Sequence, residues 1–156
     1  MLLSEVVQEL QKKYSLQIVA GTKGLSKQMS WFHIIENTIQ AWHTKGNELV
    51  ITTGMACDSD DWIIEFVKKL IHYNSCGFII NLGPYISRIP DQVLAMCDQY
   101  ELPLFTIPWE IRLVEMTRDI SQMIIDSEKS MIQAGEAMKN AIFTPGAGNY
   151  KTTLTT

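Results

Sequence analysis

The segment Glu48-Leu-Val-Ile-Thr-Thr-Gly54 decides the fold class of this chain. Four consecutive β-branched residues precede a glycine in it, which is typical of a strand that ends in a tight turn. The acidic run Asp58-Ser-Asp-Asp61 follows and supplies a cap and first-turn carboxylates for a helix. Apolar residues then recur every three or four positions from Ile63 to Ile71. The stretch therefore predicts a strand followed by an amphipathic helix.

The same strand-then-helix pattern repeats downstream. Phe78-Ile-Ile-Asn-Leu82 is a nearly continuous apolar run, typical of a strand covered on both faces. Pro90 opens another helix, and Leu102–Ile107 supplies a third strand. Two successive strand–helix–strand connections almost always turn right-handed and place their strands parallel. We therefore predict an α/β fold with flanking helices around a small, mostly parallel sheet of about four to five strands.

Residues on either side of this region complete the predicted elements. Leu3–Tyr14 has the apolar spacing of a helix, and Leu16–Ala20 and Trp31–Ile35 are short apolar runs that predict two further strands. From Leu113 the pattern becomes one long helix with a heptad-like seam of Ile120, Ile124, Ser127, Met131, Ala134 and Met138. Ser127 and Ala134 are poor seam residues, so a solvated helix and a coiled coil both fit.

The predicted organisation has three parts. An α/β domain spans residues 1–112, and a linker or dimerisation helix spans 113–142. The segment 143–156 is small, polar and rich in turn residues, so we expect a disordered tail there.

The composition restricts the class of protein. With 156 residues, of which 46% are hydrophobic and 19% charged, the chain suits one globular domain with a tail. It lacks both an apolar run long enough to span a membrane and the pattern of a secretory signal, so we expect a cytoplasmic protein without membrane association. The net charge of −4 and the scattered basic residues argue against direct DNA binding.

The cysteines and histidines do not have the spacing of a metal site, a disulfide framework or a catalytic pair. They are Cys57, Cys76, Cys97, His33, His43 and His72. Nucleophile motifs and phosphate-binding loops are also missing. We therefore predict no metal, no cofactor and no catalytic residue. A stand-alone enzyme that uses a strand-end acid, such as Glu36 or Glu110, is the weakest functional hypothesis.

The loops after the parallel strands form the expected ligand site. In an open parallel sheet, ligands bind in the crevice outside the carboxyl ends of the strands. Hydroxyl, amide, carboxylate and indole groups there could together bind a flat, polar heterocycle. The expected ligand-binding residues are Glu36, Asn37, Thr52, Thr53, Gly54, Asn81, Gly83, Trp109 and Glu110. Glu36 and Asn37 belong to this set if the strand before them runs beside the other three. The alternative is that these residues only terminate strands.

A family resemblance is carried by a series of segments: Trp31-Phe-His-Ile-Ile-Glu36, Trp42, Gly46–Gly54, Gly77–Ile80, Pro90 with its helix, and Leu102–Pro108. In order and spacing these segments resemble the N-terminal domain of PucR-type purine catabolism regulators. The resemblance covers roughly residues 3 to 125, and the ELVITTG segment is its most specific part.

The resemblance implies a bacterial, cytoplasmic transcription factor. This domain would sense a small metabolite, typically of purine catabolism, and relay the signal to a DNA-binding helix-turn-helix outside this chain. The alternative is a ligand-free module that forms a homodimer or docks through the helix that starts near Leu113.

Overall fold

The computed structural model describes residues 1–38 and 45–143, with side chains described as far as Met138. The elements occur in the order α1 (Leu3–Tyr14), β1 (Gln17–Ala20), a short 3-10 helix (Thr22–Ser26), β2 (Trp31–Ile34), β3 (Glu48–Thr52), α2 (Asp60–His72), β4 (Gly77–Asn81), α3 (Asp91–Gln99), β5 (Leu104–Ile107) and α4 (Leu113–Phe143). Trp42, His43 and the predicted tail beyond Phe143 lie outside the described residues.

The five strands form one sheet in the order β1-β5-β4-β3-β2. Strands β2 to β5 are parallel to one another, which confirms the predicted α/β fold with a mostly parallel sheet. Strand β1 is antiparallel to β5, an arrangement that the sequence did not predict. The residues after β1 pack on the start of β5, since a Cβ on Gly21 would lie 2.0 Å from the carbonyl oxygen of Leu102. This contact places β1 at the opposite edge of the sheet from β2, its nearest strand in sequence.

The two faces of the sheet are covered by different helices. Because side chains alternate along a strand, Ile51 and Ile79 pack with α1 and α4, whereas Val50 and Phe78 pack with α2 and α3. Both faces of β3 and β4 are buried along their whole length. This double burial explains why their sequences are almost continuously apolar.

Helix α2 lacks the predicted side-chain cap. Ser59 is the N-cap residue, but none of the described side chains caps the helix. The Ser59 hydroxyl instead donates to Asp58 Oδ1 at 3.2 Å. The acidic run still places Asp60 and Asp61 in the first turn, where negative charge favours a helix.

Helix α4 has a buried first half and an exposed second half. Met116, Ile120 and Ile124 are buried in the core with α1. Further along, Met131 and Met138 are 69% and 65% exposed. The predicted seam is thus divided between a packed part and a free part, and the domain boundary at residue 112 stays a prediction.

Candidate functional site

The predicted ligand-binding residues lie at the carboxyl ends of the strands, which form one edge of the sheet because four strands run parallel and end there. The register pairs Ile34 with Ile51, Thr52 with Ile80 and Asn81 with Ile107. Neighbouring strands of a sheet are about 4.8 Å apart. The residues that follow β2, β3 and β5 therefore lie near the end of β4.

Glu36 joins the ends of β2 and β3. Its Oε1 accepts hydrogen bonds from the Thr53 amide at 2.8 Å and from the Thr52 hydroxyl. Its Oε2 accepts a hydrogen bond from the Thr53 hydroxyl. Both carboxylate oxygens are thus engaged by protein donors, which suits an anchoring role for Glu36 better than contact with a ligand.

Asn81 is the buried polar residue at the end of β4. Only 4% of it is exposed, and its Oδ1 has no hydrogen-bond partner among the described residues. A buried acceptor without a partner costs about 1–3 kcal/mol. Such a group in a native protein calls for a specific explanation.

Trp109 brings two neighbouring loops into contact beside Asn81. A Cβ on Gly83 would lie 2.3 Å from Cε3 of Trp109, so the indole rests directly on the glycine. The ring of Tyr85 meets the indole edge-on at 5.8 Å between centroids. Trp109 and Tyr85 are 41% and 48% exposed and present an aromatic surface at this edge.

The remaining predicted residues lie around this group. Gly54 is covered by Ile86, because a Cβ there would lie 2.5 Å from Cδ1 of that residue. Asn37 and Glu110 are exposed after the ends of β2 and β5. The structure therefore joins Glu36 to Thr52 and Thr53, and Gly83 to Trp109.

A cavity of about 230 Å³ opens between the loop before α2 and the loop before α3. It is lined by Cys57, Asp58, Ser59, Asp60, Ile63, Tyr85, Ile86, Ser87 and Arg88, a different set from the predicted one. Arg88 lies 3.7 Å from Asp60 across it. Sequence reasoning used the acidic run for helix capping and against an anion site, and Arg88 in the loop opposite was the signal that could have indicated a polar recess.

Residues 5–124 match the model of the purine catabolism regulatory protein-like family. The chain belongs to this family. It is also similar to the purine catabolism regulatory protein of Bacillus subtilis (strain 168), with 21% identity over 117 residues. The aligned part is 74% of this chain and 22% of that protein, so the chain spans about a fifth of the length of this relative. The resemblance found in the sequence is confirmed.

The family match ends at Ile124, the last buried residue of α4 among the side chains that the structure describes. The matched region thus includes the half of α4 that packs in the core. Within that half, the Tyr14 hydroxyl on α1 donates a hydrogen bond to Asp119, and Lys13 Nζ lies 3.4 Å from the same carboxylate. These contacts attach α4 to α1 outside the apolar core.

The Tyr14–Asp119 contact predicts a pH dependence of stability. Burial raises the pKa of Tyr14, and the hydrogen bond to Asp119 raises it further, from 10.0 to about 12. The protonated phenol is therefore favoured by folding, and its contribution is complete below pH 10 and lost as the pH rises through about 12. As the pH rises through this window, we expect the free energy of unfolding, measured in urea, to fall less steeply for Tyr14→Phe than for the wild type. Tyr100→Phe, at an exposed position, should retain the wild-type slope, and equal slopes for all three proteins would contradict the assignment.

The described part of the chain holds neither a cluster of metal ligands nor a helix that could span a membrane. Within residues 1–38 and 45–143, no group of three or more His, Cys, Asp or Glu side chains could hold a metal ion. His33 instead pairs with the buried Glu48, with 2.7 Å between Nε2 and Oε2. None of the helices in the described part of the chain is both long and apolar enough to cross a bilayer.

Proposed function

We propose that this chain is the ligand-sensing N-terminal domain of a bacterial, cytoplasmic transcriptional regulator that responds to a small metabolite of purine catabolism or a related compound. The observation that carries the proposal is the buried Oδ1 of Asn81, which no described residue satisfies at the sheet edge where ligands bind in this fold class. The description of the family supports a role in regulating purine catabolism.

The connection between β5 and α4 offers a route for the signal. Trp109 contacts the loop after β4 and lies four residues before Leu113, where α4 begins. A ligand that displaces Trp109 would therefore act on the start of α4. For such a signal, the ligand must bind one arrangement of α4 more tightly than the other.

Thermal unfolding in the presence of a metabolite panel tests the sensing role. The panel contains purines, urate, allantoin and acyclic ureides. A ligand present at about 100 times its dissociation constant should stabilise the fold by about 2.7 kcal/mol. For a chain of this length, that corresponds to a rise of about 8 °C in Tm. The absence of any shift across the panel would contradict ligand sensing.

The exposed second half of α4, beyond Ile124, supports a second candidate function, homodimerisation. Met131 and Met138 occupy equivalent seam positions one heptad apart, and both are exposed. Exposed apolar residues at this spacing are typical of a helix that packs on another helix. We propose that two copies associate through this half, whether or not a ligand is bound.

Charged substitutions test the dimer without disturbing the core. Deleting all of α4 would also remove Met116, Ile120 and Ile124, so the double variant Met131→Asp/Met138→Asp is the cleaner choice. We expect sedimentation equilibrium to show a dimer for the wild type and a monomer for this variant. Gln133→Asp introduces the same side chain at an exposed polar position and should stay dimeric. A monomeric wild type would exclude this candidate.

A further inference from the structure

We infer that Asn81 accepts a hydrogen bond from an N–H group of a flat, uncharged ring ligand, and that this ligand reaches Asn81 by separating Trp109 from Gly83. The inference rests on the proposed sensing function and specifies the chemistry of its ligand. It also identifies the contact that opens the site.

Donors around Asn81 are already used by other acceptors. The amide and hydroxyl of Thr53, which follows Thr52 at the end of the neighbouring strand, both donate to Glu36. The amide of Leu82, the next residue along the chain, donates to the carbonyl of Ile107 on β5 at 3.0 Å. The described surroundings of Asn81 therefore direct their hydrogen bonds elsewhere. A donor supplied by a bound molecule would satisfy its Oδ1 and recover the cost of burial.

Charge and shape narrow the class of ligand. The carboxylate of Glu36 lies at the same sheet edge, and Glu110 follows β5, so an anionic ligand would meet like charges there. The half-exposed rings of Trp109 and Tyr85 offer faces and edges on which a flat ring can stack. A cyclic amide or imide combines a planar ring, an N–H donor and no net charge. This class includes oxidised purines and pyrimidines.

The site is closed in this structure. Asn81 Oδ1 is shielded from solvent, so neighbouring groups must move before a ligand reaches it. Gly83 and Trp109 lie two residues beyond Asn81 and Ile107, which are paired across β4 and β5. Their contact is close enough that even a methyl group on Gly83 would collide with the indole. We therefore place the opening motion at this contact, which leads directly into α4.

The experiment compares ligands that differ only in their N–H groups. Xanthine and uracil carry ring N–H donors, whereas caffeine and N,N′-dimethyluracil have them replaced by methyl groups. We expect xanthine or uracil to raise the Tm of the wild type and their methylated counterparts to leave it unchanged. Because Trp109 moves on binding, its own fluorescence should change when the same compound is added. That contribution is the part of the emission that is lost in Trp109→Phe. No shift with either N–H compound would overturn the inference.

The variant Asn81→Leu separates binding from folding. Leucine has a similar volume and no polar atom, so it removes a buried group that no described residue satisfies. We expect the ligand-free Tm to rise by about 3 °C and the response to xanthine and uracil to disappear. Gln92→Leu, on the exposed side of α3, should keep both wild-type properties.

Three further results would overturn this inference, and a fourth would contradict ligand sensing itself. A lower ligand-free Tm for Asn81→Leu would mean that the amide supports the fold. A shift in Tm with caffeine equal to that with xanthine would mean that the N–H groups do not contribute to binding. If another panel compound stabilised wild type and Asn81→Leu alike, sensing would stand and this site would be excluded. If the whole panel had no effect, sensing itself would fail.

Discussion

Replacing Glu36 with alanine is expected to lower the free energy of unfolding by about 3 kcal/mol, because a charged acceptor of several hydrogen bonds is lost. Its carboxylate links the end of β2 to Thr52 and Thr53 at the end of β3. Thr52 is fully buried, so its hydroxyl would lose this acceptor where water does not reach. Urea unfolding followed by circular dichroism measures the loss, which corresponds to about 9 °C in Tm.

An exposed glutamate provides the matched control for Glu36. Glu65 forms an ion pair with Lys68 on the surface of α2, and its side chain is 59% exposed. Exposed pairs of this kind contribute at most about 1 kcal/mol, so Glu65→Ala should cost little. If Glu36→Ala cost no more than Glu65→Ala, Glu36 would not anchor the strand ends, and its carboxylate would be available to a ligand.

Replacing Phe78 with alanine is expected to cost about 4 kcal/mol, which is the largest effect of any single change proposed for this chain. Phe78 lies on β4, is fully buried, and stacks on Phe66 of α2 with 4.9 Å between ring centroids. Its removal leaves a cavity between the sheet and α2 that neighbouring side chains fill only in part. The midpoint and slope of urea unfolding together give the loss of stability.

Two further substitutions serve as controls for the Phe78 prediction. Phe78→Leu keeps most of the volume and should cost less than half as much as the alanine variant. Tyr85→Ala removes an aromatic ring that is half exposed, so its effect on stability should be small. A cost for Phe78→Ala below about 1 kcal/mol would show that this side of the core relaxes around the gap.

The placement of the candidate site could be predicted because it follows from topology. Parallel strands end at the same end of the sheet, so Thr53 and Asn81 had to lie near one another once β3 and β4 were assigned. The hydrogen bonds of Glu36 could not be predicted, since it lies sixteen residues from Thr52 in sequence and reaches it only through the parallel β2–β3 pairing. The contact between Trp109 and Gly83 likewise joins two loops that only the sheet brings together.

The sequence by itself determined the three parallel strands β3, β4 and β5, the helices and the family. Local apolar periodicity and β-branched runs carry that information, because a residue's place in a helix or a buried strand depends mainly on its near neighbours in the chain. The tertiary structure alone decided that β1 is antiparallel at the far edge, that the described buried side chains of α4 extend to Ile124, and that Asn81 Oδ1 is buried without a partner in the described chain. Each of these features depends on contacts between segments far apart in sequence, and whether a buried polar atom is satisfied depends on all of its neighbours at once.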